Sequence, residues 1–70
     1  MHGMTRAAAK LAVNRLNVLL ANKAIDSYNI FEAVKTGLAF TVDIGRDRSY
    51  LYSLESVIEF CEKLDTATTH

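Results

Sequence analysis

The 70-residue sequence has no proline, no tryptophan, one cysteine and three glycines. One cysteine excludes an intrachain disulfide, and the two histidines lie at the extreme positions 2 and 70, so no Cys/His cluster is available for a structural metal. The usual staples of a small domain are therefore missing. Long apolar runs are missing too. Lys10, Asn14, Arg15 and Asn17 interrupt the N-terminal third, so no secretory signal is expected, and no uncharged stretch approaches the roughly 20 residues of a membrane span. A soluble protein of the reducing cytoplasm is expected.

The same scarcity argues against catalysis. Neither His2 nor His70 is placed as a general base, and both tails, residues 1–4 and 65–70, read as disordered. Met1, His2 and Gly3 read as an added remnant without structural weight, with Met4 as the natural start. Cys61 falls in the middle of an apolar helix face, where a thiol is inert packing. No glycine-rich phosphate loop and no paired carboxylates stand out. A non-enzymatic protein without cofactor or metal is the reading.

What the chain does have is apolar residues, half of its length. That is enough for one core and too much for a disordered tail. A chain this short buries only about 60% of its unfolded surface, so dimerisation is a natural substitute for the absent staples, although many domains of this size fold alone.

Net charge is zero but unevenly spread. Residues 1 to 25 contain Arg6, Lys10, Arg15 and Lys23 and no acid, whereas residues 26 to 70 contain eight acids against Lys35, Arg46, Arg48 and Lys63. The halves either attract one another or present a basic face to an anionic partner. Overall neutrality weighs against tight nonspecific DNA binding, which needs many phosphate contacts.

The pattern predicts an α+β domain: a helical N-terminal segment, a short helix, a two-stranded antiparallel hairpin and a C-terminal amphipathic helix. Thr5 is the expected N-cap of the first segment, residues 5 to 24. Wound as one helix, it would carry Leu11, Val18, Ala8, Leu19, Ala12, Leu16, Ala9, Leu20 and Val13 on an arc wider than half its circumference, with Arg15 in the middle. Either that helix is sandwiched between partners, or a turn near Ala12 and Val13 divides it into two. Asn29 and Glu32 have capping-box spacing and predict a short helix from Ile30 to about Thr36, ended by Gly37, with Phe31, Val34 and Ile30 inward. From Leu38 to Ile44 the period is two, with Leu38, Phe40, Val42 and Ile44 on one face. GRDRS, residues 45 to 49, is the turn, and Tyr50–Ser53 the second strand, its two tyrosines on one face. Ser53 is the N-cap of a last helix from Leu54 to Leu64, with Leu54, Val57, Ile58, Cys61 and Leu64 inward.

AAAKLAVNRLNVLL, residues 7 to 20, resembles the N-terminal helix-turn-helix of small excisionase-like and MerR-type DNA-binding domains, through Ala8, Ala9, Leu11, Val13, Asn14, Arg15, Val18 and Leu20. A hairpin with basic residues, here Arg46 and Arg48, is that group's wing. The chain departs from the pattern at Ala12, where glycine is common, at Leu16, where proline or a polar residue is usual, and in DSYNIFEAVKTG, which separates the helices from the wing. The resemblance implies a partner in double-stranded DNA. Asn14, Arg15 and Asn17 would open a recognition helix, Arg6 and Lys10 would meet phosphates, and Arg46 and Arg48 would approach the backbone or minor groove. Residue by residue the ordinary alternatives are solvated side chains, helix caps and edge-strand gatekeepers.

The rival reading is a protein-interaction module, a small dimeric adaptor or inhibitor that uses the apolar face of residues 8 to 20. Leu16, Leu19 and Leu20 form an L-x-x-L-L pattern that in some systems anchors a helix in a groove.

Overall fold

The computed structural model describes residues 3–33 and 37–68, with side-chain surroundings as far as residue 64. Thr5, in extended conformation, caps the first helix as its sequence predicts, its Oγ1 accepting the Ala8 amide at 3.2 Å. From there α1 runs unbroken over Arg6–Ala21. The alternative of two helices with a turn near Ala12 and Val13 is not what forms: no glycine or proline interrupts the segment, and Ala12 is wholly buried in mid-helix. Helix α1 stops at Asn22. Lys23 takes the left-handed conformation (φ 62°), its amide donates to Leu20 O at 3.1 Å, and the Ala24 amide donates to Leu19 O at 2.9 Å. This is the Schellman closure, with lysine where glycine is usual.

The next segment departs from expectation. The short helix over Ile30–Thr36 does not form in the described residues. Ser27–Ala33 is instead strand β1, antiparallel to β2 (Gly37–Ile44) in a register that sets Tyr28 opposite Val42 and Phe31 opposite Ala39. Residues 34 to 36, including Val34, lie outside the described residues. The reason is tertiary. A two-turn helix must bear its nucleation cost alone, whereas seven β1 residues complete a ladder on β2, and a third strand lifts the hairpin above marginal stability.

Strand β3 (Asp47–Leu51) pairs with the other edge of β2, Phe40 opposite Leu51 and Ile44 opposite Asp47. The sheet order is β1-β2-β3. The second strand thus starts earlier than the expected Tyr50, and the turn shrinks from five residues to Gly45 and Arg46, the two-residue loop whose twist suits a hairpin. Helix α2 then spans Leu54–Thr68, four residues past the expected end. Ser53 caps it as expected: the Ser56 amide donates to Ser53 Oγ and the Ser53 amide to Ser56 Oγ, both at 3.1 Å, a reciprocal capping box.

The domain is therefore a small α+β unit of two helices and a three-stranded antiparallel sheet. Met4, expected to be disordered, is buried and bridged to Leu38, with amide-to-carbonyl distances of 2.7 and 3.0 Å in the two directions. It pins the start of α1 beside Leu38. The end of α1 is held near the opposite end of β2, where the Asp26 amide donates to Asp43 O at 2.9 Å. Helix α2 starts just after β3, at the Leu38–Phe40 end of the sheet. The two helices consequently run in the same direction on one sheet face.

Between helices and sheet lie Ala9, Ala12, Leu16 and Leu19 of α1, Phe40 and Val42 of β2, Leu51 of β3, and Val57 and Cys61 of α2. Leu38 and Ile44, half-buried, complete the inward alternation expected of β2. Alanines at positions 9 and 12 let α1 approach the sheet closely.

Two backbone positions test this description with opposite signs. Gly37 has φ +104°, and a Cβ there would stand 2.9 Å from Met4 O, so Gly37→Ala is expected to cost about 1–3 kcal/mol. Lys23→Gly relieves a left-handed residue and is expected to gain up to about 1 kcal/mol, net of added unfolded-chain freedom. Urea midpoints at equal m-values measure both.

Candidate interaction surface

Once α1 has given one stripe to the core, its outer surface carries another. Ala7, Leu11, Asn14, Val18 and Ala21 recur at alternating spacings of four and three, and all five are exposed, Leu11 at 54% and Val18 at 59%. That spacing is the seam by which one helix receives another. It resolves the over-wide apolar arc of the sequence: Ala9, Ala12, Leu16 and Leu19 face the sheet and α2, Leu11 and Val18 face outward, and Arg15 sits at the border of the two stripes, exposed.

Beside this stripe, α1 and α2 leave an open groove of about 370 Å3, lined by Leu11, Asn14, Arg15 and Val18 on one bank and Leu54 and Ile58 on the other. A second, of about 380 Å3, lies between α1 and the sheet and is lined by Arg6, Ala9, Lys10, Val13, Ile30 and Leu38. Ile30 is half exposed there, at the edge strand.

The sequence-predicted site residues fall into separate places. Arg6 and Lys10 are exposed on the β1 side of α1, while Asn14 and Arg15 border the groove toward α2. Asn17 has a structural duty: Tyr28 Oη donates to its Oδ1 at 2.5 Å and ties α1 to β1. Arg46 is exposed in the β2–β3 turn, at the end of the sheet away from Arg6. Of the leucines proposed as an interface, Leu16 and Leu19 are core residues, and only Leu20, 39% exposed, is open to solvent. The basic residues are thus not gathered on one face, whereas the apolar ones at positions 11 and 18 are. Their signal was present in the sequence as the 4-3 spacing.

Arg48 lies on the helix-free face of the sheet, opposite Asp43 in the register. Its Nε donates to Asp43 Oδ1 at 2.7 Å, and Ser27 Oγ donates to Oδ2 at 3.3 Å. On the same face Phe31, Tyr50 and Tyr52 cluster: Phe31 meets each tyrosine edge-on, with centroids 6.3 and 6.1 Å away, and the two tyrosines stack at 6.5 Å. The expectation that the tyrosines share a sheet face is met. They cover Ala39, which is fully buried although it points away from the helices.

Among the described residues no three His, Cys, Asp or Glu side chains come together as a metal site requires, and no helix is long and apolar enough to cross a membrane. Compared with protein-family models, with curated proteins and with solved structures, the chain matches none.

The Arg48 hydrogen bond holds the Asp43 carboxyl below its ordinary 3.8, assisted by the Arg48 charge and the Ser27 hydroxyl against partial desolvation. The sign follows: a carboxyl lowered in the folded state stabilises the fold above its unfolded value, and the contribution is lost as pH falls through the folded value. Carboxyl-carbon NMR titration is expected to place Asp43 below 3.8, and Arg48→Met to return it upward. An unchanged midpoint in the variant would refute the pairing in solution.

Proposed function

We propose that this chain is a non-enzymatic protein-interaction module of the cytoplasm, and that its docking surface is the outer stripe of α1 with the groove shared by α2. The observation that carries this reading is the exposed 4-3 stripe centred on Leu11 and Val18, flanked by Leu54 and Ile58. A lone surface leucine needs no explanation, but apolar residues repeated at helix-pairing intervals beside an apolar groove do. Burying them on a helix would remove water from this surface at a gain of roughly 25 cal/mol per Å2 of apolar area, before the costs of association.

A photo-crosslinking side chain in place of Val18, introduced in the cells that make the protein, tests the reading directly. Discrete protein adducts are expected from position 18 and not from position 46, in the turn. An absence of adducts at 18, with the protein folded and abundant, would sink it.

A second reading, binding of double-stranded DNA, is supported by an acid-free α1 on which Arg6, Lys10, Asn14 and Arg15 are all exposed. With α1 continuous, contact would run along the helix flank to phosphates rather than from the start of a recognition helix, and Arg46 would add a distant contact. Amide NMR titration with mixed-sequence duplex at low salt is expected to shift Arg6, Lys10 and Asn14 if this holds, and each of Arg6→Ala and Lys10→Ala to lower the salt slope by about one. No salt-sensitive shift would end this reading.

A further inference from the structure

We propose that the partner received by the α1 stripe is a second copy of this chain, in an isologous dimer that lays each α1 over the other copy's α2; this rests on the interaction-module reading above. Charge selects the occupant. Helix α1 has Arg6, Lys10 and Arg15 and no acid, and α2 has Glu55, Glu59, Glu62 and Asp65 against Lys63. The one ion pair among the described residues joins Arg48 to Asp43 in the sheet, so the charges of α1 and those of α2 as far as Lys63 form none across the α1–α2 contact of their own chain. One surface therefore presents an apolar stripe with basic borders beside an apolar bank, Leu54 and Ile58, bordered by Glu55 and Glu62 at helical i−3 and i+4 from Ile58.

Such a surface is complementary to itself in one arrangement only. Laying α1 on the other copy's α1 would bring Lys10 and Arg15, which flank the stripe on both sides, against their own duplicates, and like charges across a helix seam repel. A two-fold axis parallel to the helices instead superposes α1 on the other copy's α2. Because the two helices of one chain run in the same direction and Arg15 already lies level with Leu54 and Ile58 along the groove, this axis keeps their heights. Leu11 and Val18 then meet the other copy's Leu54 and Ile58, and Arg15 meets its Glu55 and Glu62. The symmetry makes every contact twice, as closed dimers require.

The test is molar mass by sedimentation equilibrium and light scattering of the full chain, from micromolar to millimolar and at two salt concentrations, with circular dichroism to verify that each variant is folded. The wild type is expected to approach twice the chain mass and to dissociate more readily in high salt. Arg15→Gln should weaken the dimer about tenfold and Arg15→Glu further, through like charges brought face to face. Arg15→Glu combined with Glu55→Arg and Glu62→Arg in one chain should restore it. A tighter dimer from Arg15→Gln would overturn the arrangement in favour of α1 on α1, as would failure of the triple variant to recover. A wild type monomeric at millimolar concentration would overturn the second copy as occupant. The crosslinks from position 18 then separate the two levels: adducts with another protein leave the module reading standing, and none removes both.

Discussion

Everything in this domain depends on how α1 lies against β2. Leu16, Phe40, Val42 and Val57 are the largest side chains removed entirely from water, and three elements meet in them. Alanines 9 and 12 bring α1 close, the Met4–Leu38 bridge anchors its start, and Asp26 on Asp43 anchors the far end. With no disulfide or metal to constrain the unfolded chain, packing against one sheet face has to supply most of the stability. Placing both helices there leaves the other face to Phe31, Tyr50 and Tyr52, which shield Ala39 themselves.

Legibility of the sequence followed the range of the forces involved. The starts of both terminal helices, at the caps Thr5 and Ser53, were readable because a cap is a local hydrogen bond, whereas the continuity of α1 was left open and α2 runs past the expected Leu64. The inward alternation of β2 was readable because it is a central strand whose covered side repeats every second residue. Strand β1 was not. At an edge, Tyr28 and Ile30 face the helices while Phe31 faces away, so the apolar residues run together, and Asn29 with Glu32 imitates a helix start. Only the ladder with β2, a contact across the chain, decides between them.

The exposed apolar stripe of α1 was half legible. The over-wide arc and the anomalous Arg15 were visible in the sequence, and so was the inference that a lone amphipathic helix would not carry them. The sequence could not say which apolar residues the core would claim. L-x-x-L-L drew attention to Leu16 and Leu19, both of which the core buries, and away from Leu11 and Val18. The dispersed bases were equally opaque: Asn17 is drawn into a bond with Tyr28 and Arg48 into one with Asp43, partners 11 and 5 residues away in sequence.

A helix with two apolar stripes faces a choice of which to bury, and Asn14 makes it. Rolled so that Ala7, Leu11, Asn14, Val18 and Ala21 met the sheet, α1 would lose Leu16 and Leu19 from the core. It would also bring the Asn14 amide under Phe40 and Val42, where an unsatisfied polar group costs about 1–3 kcal/mol. The buried stripe, Ala9, Ala12, Leu16 and Leu19, contains no polar atom beyond the backbone. The same asparagine that excludes the outer stripe from a dry core suits it to a helix–helix seam, where a polar residue at one core position sets register at some cost in stability. Arg15 acts alongside it, since the rolled helix would carry its charge toward the interior as well. Specificity of fold and exposure of the outer apolar stripe therefore have a common cause in two adjacent polar residues of α1.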